Sequence, residues 1–205
     1  MKYKDKALSY FKENFDGFLA EYYEFLRIPS VSTDPIHVDD IHTAANFLIT
    51  KLEKLGFSNV KAYNTKLHPI VVGEYLSNIL SAPTVLIYGH YDVQPPDPLN
   101  EWTTEPFNPT QRGDYLYARG ASDMKGQILA SIFALESILT TSSLKVNIKY
   151  ILEGEEEIGS PSLGGWARQN KELLDCVMIL VSDTTMISEE VPSINTGMRG
   201  LAYLE

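Results

Sequence analysis

Residues 84–92 read Thr84-Val85-Leu86-Ile87-Tyr88-Gly89-His90-Tyr91-Asp92. The first five are apolar or β-branched without alternation, the pattern of a strand buried on both faces of a sheet. The run then breaks into a glycine, an imidazole and a carboxylate. Two further expected strands end the same way. Val146–Leu152 leads into Glu153-Gly154-Glu155-Glu156-Glu157-Ile158-Gly159-Ser160, and Val177–Val181 leads into Ser182-Asp183-Thr184. Shorter strands are expected at Val60–Tyr63, Ile70–Leu76 and Ser193–Asn195.

Between the strands the spacing turns helical. Leu8, Phe11, Phe15, Phe18, Leu19, Tyr22 and Leu26 mark one helix over residues 3–27, ending near Pro29. Ile41, Ala45, Leu48, Ile49 and Leu52 mark a second over residues 38–55, with Gly56 as its stop. Two more are expected at 126–139 and 163–174. Strands alternating with helices define an α/β fold, a three-layer sandwich around a mostly parallel central sheet. Ligands of such sheets gather at the carboxyl ends of the strands. The stretch Val93–Asp114 carries Pro95, Pro96, Pro98, Pro106 and Pro109, so neither a helix nor a sheet interior runs through it. Trp102 and Phe107 argue that it packs down and serves function.

Composition narrows the field. The 205 residues are 44% hydrophobic and carry 17 Lys+Arg against 27 Asp+Glu, a formal net charge of −10. That balance argues against nucleic acid or an anionic membrane as partner, since both need clustered cations. Cys176 is the only cysteine, so no internal disulfide forms, and its apolar neighbours suggest a buried, inert thiol. The first residues lack the apolar core of a secretory signal, and no run reaches the roughly 18 apolar residues of a membrane span; the cytoplasm is the expected location. A G-x-S-x-G nucleophile elbow and a G-x-x-x-x-G-K-[ST] phosphate loop are both absent.

The chemistry sits in four places: Gly89-His90-Tyr91-Asp92, Gly120-Ala121-Ser122-Asp123-Met124-Lys125-Gly126, the 153–160 acidic run, and Ser182-Asp183-Thr184. Singly, each has an ordinary reading. Asp123 caps a helix, Asp183 shapes a turn, Glu155-Glu156-Glu157 starts a solvated helix, and His90 is a bonded core histidine. Together, at successive strand exits on one sheet edge, they put anions close enough to resist ionisation unless a cation neutralises them. One imidazole among several carboxylates suits Zn²⁺, Mn²⁺ or Co²⁺, where an all-oxygen set would suit Mg²⁺ or Ca²⁺. Asp92, two residues after His90, faces the same way in extended chain and is placed to hold its tautomer.

The segments YGHYDVQPPDP (88–98), W-x-x-x-PF-x-P (102–109), YARGASDMKG (117–126), EGEEEIGS (153–160) and VSDT (181–184) resemble the carnosinase, acetylornithine deacetylase and succinyl-diaminopimelate desuccinylase family of metallopeptidases, and its dipeptidase branch most. The resemblance implies two divalent ions, zinc first and manganese or cobalt as alternatives. His90 and Asp183 would bind one ion, Asp123 would bridge both, and Glu157 would bind the second. Glu156 would be the general base and Asp92 would orient His90, while Glu155 falls where the family varies. A cis peptide at Asp123–Met124 is implied as well. The expected reaction is hydrolysis of the amide bond of a dipeptide or small peptide by a metal-activated water, with an N-acyl-amino-acid deacylase or a non-catalytic fragment as alternatives.

The same resemblance implies a catalytic domain over 1–196 and the start of a lid or dimerisation domain over 197–205. It also implies a homodimeric full-length enzyme and a further histidine ligand beyond Glu205. His37, His42 and His68 are expected on the surface or in helices rather than in that role.

Overall fold

The computed structural model describes residues 3–188, 190–191, 193–197 and 200. Among the described residues, seven strands and five α-helices follow one another as α1 (Tyr3–Glu13), α2 (Phe15–Leu26), α3 (Val38–Lys54), β1 (Ser58–Tyr63), β2 (Ile70–Tyr75), β3 (Thr84–His90), β4 (Thr110–Arg112), β5 (Tyr115–Tyr117), α4 (Lys125–Thr141), β6 (Asn147–Glu153), α5 (Leu163–Gln169) and β7 (Met178–Val181).

The main sheet has the order β1-β2-β6-β3-β7. β3 runs parallel to β6 and to β7, β2 runs antiparallel to β6, and β1 is antiparallel to β2. Four of the five strands therefore share a direction, and the unbroken apolar run at Thr84–Tyr88 lies between two parallel neighbours. In β2 the pleat sends Val71 to one face and Ile70 and Val72 to the other. Val71 joins Ile87, Ile148, Tyr150 and Leu152 beneath α2, α3 and α4. Ile70 and Val72 join Leu86, Ile151 and Trp166 of α5 on the opposite face. Those are the three layers. α3 buries Ile41, Ala45, Leu48 and Leu52 of the stripe read from its spacing, with Ala44 added and Ile49 only half-buried, and Gly56 follows at φ +82°, a left-handed stop that glycine reaches without a Cβ clash.

Five local expectations change. The single helix over 3–27 is two, broken at Asn14, whose side-chain amide donates to the Tyr10 carbonyl at 2.9 Å. Such a local bond competes with helix continuation. The helix expected to Leu174 ends at Gln169 and resumes as a 3₁₀ turn at Lys171–Leu174, because Asn170 leaves helical geometry at φ −121°, ψ 34°. Ser193–Asn195 forms no strand; no described segment pairs with it, and Ser193 Oγ donates to the Thr185 carbonyl instead. Cys176 is half-buried beside the Trp166 cluster rather than fully enclosed. His68 is buried, not at the surface, with Nε2 at 3.0 Å from the Ser32 carbonyl.

The proline-rich stretch carries a 3₁₀ turn at Leu99–Glu101 and the β4–β5 hairpin. It does pack down: Trp102 Nε1 donates to the Pro96 carbonyl at 2.6 Å and Arg119 lies over the Trp102 ring. Among the described residues nothing covers β7, whose side chains stay exposed on both faces. No described helix is long and apolar enough to cross a membrane. The expected crossing into a second domain falls largely on Pro192, Met198, Arg199 and residues 201–205, outside the described residues.

Candidate metal centre

Because β3, β6 and β7 share a direction, their carboxyl ends open on one edge. His90 is the last residue of β3 and is fully buried. A single 3₁₀ turn at Glu156–Ile158 follows β6, Asp183 follows β7, and Asp123 stands two residues before α4. The Asp123–Met124 peptide is cis, as the resemblance implies.

The turn before α4 is held by Tyr22, whose hydroxyl donates to the Ala121 carbonyl. It is also held by Lys125, whose buried ammonium donates to the carbonyls of Phe25 at 3.1 Å and Ile28 at 2.6 Å. These are last-turn carbonyls of α2 and the residues after it, where a cation is favoured by the helix dipole. Burial nevertheless lowers the Lys125 pKa to about 7, against the pull of Asp40 and Asp92.

His90 Nδ1 faces Asp92, with the backbone carbonyl at 3.1 Å and the carboxylate at 3.4 Å. Nε2 points the other way, 3.1 Å from Asp123 Oδ1, 3.4 Å from Asp183 Oδ2 and 3.8 Å from Glu156 Oε2. His90, Asp123 and Glu157 each offer a ligand atom within 4.8 Å of the others. All six residues singled out in the sequence therefore meet. Two ligands at about 2.0–2.1 Å on one tetrahedral ion lie about 3.3 Å apart, so the Nε2–carboxylate spacings fit a shared cation and the donor set suits a borderline divalent metal.

The electrostatics point the same way. Burial works against a charged His90, but the Asp92 hydrogen bond and the Asp92, Glu156 and Asp183 charges prevail and raise its pKa from 6.5 to about 9. Glu156, Glu157 and Asp183 are all pushed above the usual carboxylate range, first by burial; the His90 charge opposes this in each, and neighbouring anions add to it. Anions that resist ionisation around an imidazolium are a cluster short of positive charge.

Sequence reasoning missed several supports. Asp92 does more than face His90: its carboxylate accepts the amides of Glu156 at 3.2 Å and Glu157 at 3.0 Å. Gln94 Nε2 donates to Glu157 Oε2 at 2.8 Å. Glu153, fully buried, accepts from Tyr88 Oη and Ser160 Oγ. Only Gln94 had a local signal, its place three residues after Tyr91 in the GHYDVQPP run. Of the other bonds, Ser160 to Glu153 spans seven residues and the rest join residues far apart in sequence.

An α/β sandwich with an imidazole–carboxylate cluster at its carboxyl edge defines a domain of the kind that holds divalent ions. The model for peptidase family M20/M25/M40 matches residues 86–196. The chain belongs to that family, whose members use divalent metals. Among curated relatives, the Cys-Gly metallodipeptidase dug1 of Schizosaccharomyces pombe is 33% identical over 97% of this chain and 44% of its own length. The human Beta-Ala-His dipeptidase is 39% identical over 66% of this chain and 27% of its own. The crystal structure of human carnosine dipeptidase 1 superposes with a TM-score of 0.83 at 32% identity, covering 90% of this chain and 42% of that one. The chain spans less than half the length of the curated relatives it matches.

Proposed function

We propose that this chain carries the hydrolytic centre of a metal-dependent peptidase that cleaves dipeptides or small peptides. The observation that carries the reading is the His90 Nε2 atom, held within 3.1 and 3.4 Å of the Asp123 and Asp183 carboxylates at a sheet edge that also presents Glu156 and Glu157. His90 and Asp183 would hold one ion, Glu157 a second, and Asp123 would serve both, while Asp92 would fix the His90 ring with Nδ1 as donor. Zinc fits the mixed nitrogen and oxygen donors best. When bound, the metal would supply a Lewis acid and lower the pKa of the attacking water.

The chain's own part is proton handling and orientation. Glu156 lies 3.8 Å from His90 Nε2 and has its pKa raised by burial and by Glu157, Asp183 and Asp92 against the His90 charge. It is suited to take a proton from the attacking water and return it to the leaving nitrogen. The buried Asp92 and the bond from Gln94 keep the turn aimed. Relatives named for Cys-Gly and Beta-Ala-His substrates support a dipeptide, and a succinyl-diaminopimelate desuccinylase at 30% identity keeps an N-acyl-amino-acid substrate as the second reading.

Metal content of the intact protein, followed by hydrolysis of a dipeptide panel beside an N-acyl-amino-acid panel, tests both readings. Metal-dependent release of amino acids from dipeptides is the expected result. Turnover insensitive to chelation would refute the proposal.

A further inference from the structure

We infer that Glu155 is a positioning residue, a buried anchor that holds the turn presenting Glu156 and Glu157; this rests on the metal-centre reading above. As the first of three consecutive acids it has the local look of a solvated helix start, yet it is only 2% exposed. Both of its oxygens are engaged. Oε1 accepts from Thr65 Oγ1 at 2.6 Å and from the His68 amide at 2.9 Å, and Oε2 accepts from the Ser162 amide at 3.0 Å. Its own carbonyl accepts from the amides of Ile158 at 3.2 Å and Ser160 at 2.8 Å, closing the 3₁₀ turn.

The geometry has two sides. On one, the Asp92 carboxylate takes the amides of Glu156 and Glu157. On the other, Glu155 ties the start of the same turn to the segment leading into β2 and to the residue before α5. The turn is thus strung between two buried carboxylates, one beside His90 and one bonded to Thr65, His68 and Ser162. Among the described residues the Glu157 carboxylate accepts one side-chain hydrogen bond, from Gln94, so its aim depends largely on the backbone that carries it. Three donors on one anion make a strong, directional clamp. Outer partners of this kind set the direction of a ligand without touching the ion.

The test uses the intact protein with Glu155→Ala, Glu155→Gln and Thr65→Val. Thr65→Val removes the hydroxyl that bonds Glu155, along with its contacts to the His68 carbonyl and the Leu67 amide, and leaves the Glu155 charge, which separates positioning from mere loss of a negative charge and serves if Glu155→Ala does not fold. Three quantities are read: Zn²⁺ affinity of the metal-stripped protein by chelator competition, amide hydrogen exchange at residues 156–160, and the division of any activity loss between kcat and KM. The expected result is faster exchange at 156–160 in every variant, with Zn²⁺ affinity about 10–100-fold weaker for Glu155→Ala. Smaller losses in the same direction are expected for the other two, with kcat falling while KM holds. Unchanged exchange at 156–160, or unchanged Zn²⁺ affinity in a folded Glu155→Ala protein, overturns the inference. Wild-type protein that takes up no Zn²⁺ overturns the metal-centre reading and with it the ligand-aiming role, whereas the exchange result alone decides whether Glu155 holds the turn.

Discussion

The chemistry of the centre comes down to a few side chains, and two of them make sharp predictions. Glu156 is the proposed general base and is not one of the proposed ligands, so Glu156→Ala is expected to cut kcat by about 10²–10⁴-fold, the range of a lost general base. Metal content by elemental analysis should stay at the wild-type level, and retained turnover would remove the assignment. His90 sets a pH dependence. Its folded pKa of about 9 lies above its ordinary 6.5, so in the metal-stripped protein it contributes stability that is full below pH 6.5 and is lost as pH rises through about 9. A cation must displace that proton. Calorimetric titration of Zn²⁺ near pH 7.5, in two buffers of different ionisation heat, should therefore reveal proton release, and affinity should climb toward pH 9. Buffer-independent heats would contradict the His90 ligand role.

At the scale of elements, the centre depends on how closely β3 approaches α4. A Cβ on Gly89 would lie 2.9 Å from Ile128 Cγ1 and 3.3 Å from Met124 Cε, so the strand reaches the helix carrying Asp123 at its head only because residue 89 has no side chain. Gly89→Ala is expected to destabilise by about 1–3 kcal/mol, the usual cost of overpacking. Gly165 in α5 has open space around it. Gly165→Ala should instead stabilise by about 0.4–1 kcal/mol through the unfolded chain. Urea unfolding of the two variants side by side checks the pair; equal shifts would mean that the β3–α4 contact is looser than described.

For the whole molecule, three parallel strands deliver anions to one edge, and the fold carries that repulsion until a cation arrives. A ligand that binds only the folded state stabilises it by about 2.7 kcal/mol at 100 times its Kd. Chelation is therefore expected to lower the thermal midpoint and re-addition of Zn²⁺ to restore it, as read by calorimetry. A midpoint indifferent to chelator would show that Asp123, Glu157 and Asp183 do not hold metal ions.

Hydrophobic periodicity alone placed β3, β6, β7, α3 and α4 within a residue or two, because each is long or strongly patterned and its burial is a property of its own stretch of chain. The order of motifs likewise marked His90, Asp92, Asp123, Glu156, Glu157 and Asp183 before any contact was visible. What periodicity could not supply was partners. The break at Asn14, the failure of Ser193–Asn195 to pair and the burial of Glu155, His68 and Lys125 all depend on donors and acceptors brought from elsewhere. Thr65 lies 90 residues from Glu155, and Phe25 lies 100 from Lys125. A polar residue looks solvated in sequence until the tertiary fold supplies the bonds that compensate its burial. Residue type and local order were therefore legible in the chain, while the aim of the side chains was decided only once the layers closed around them.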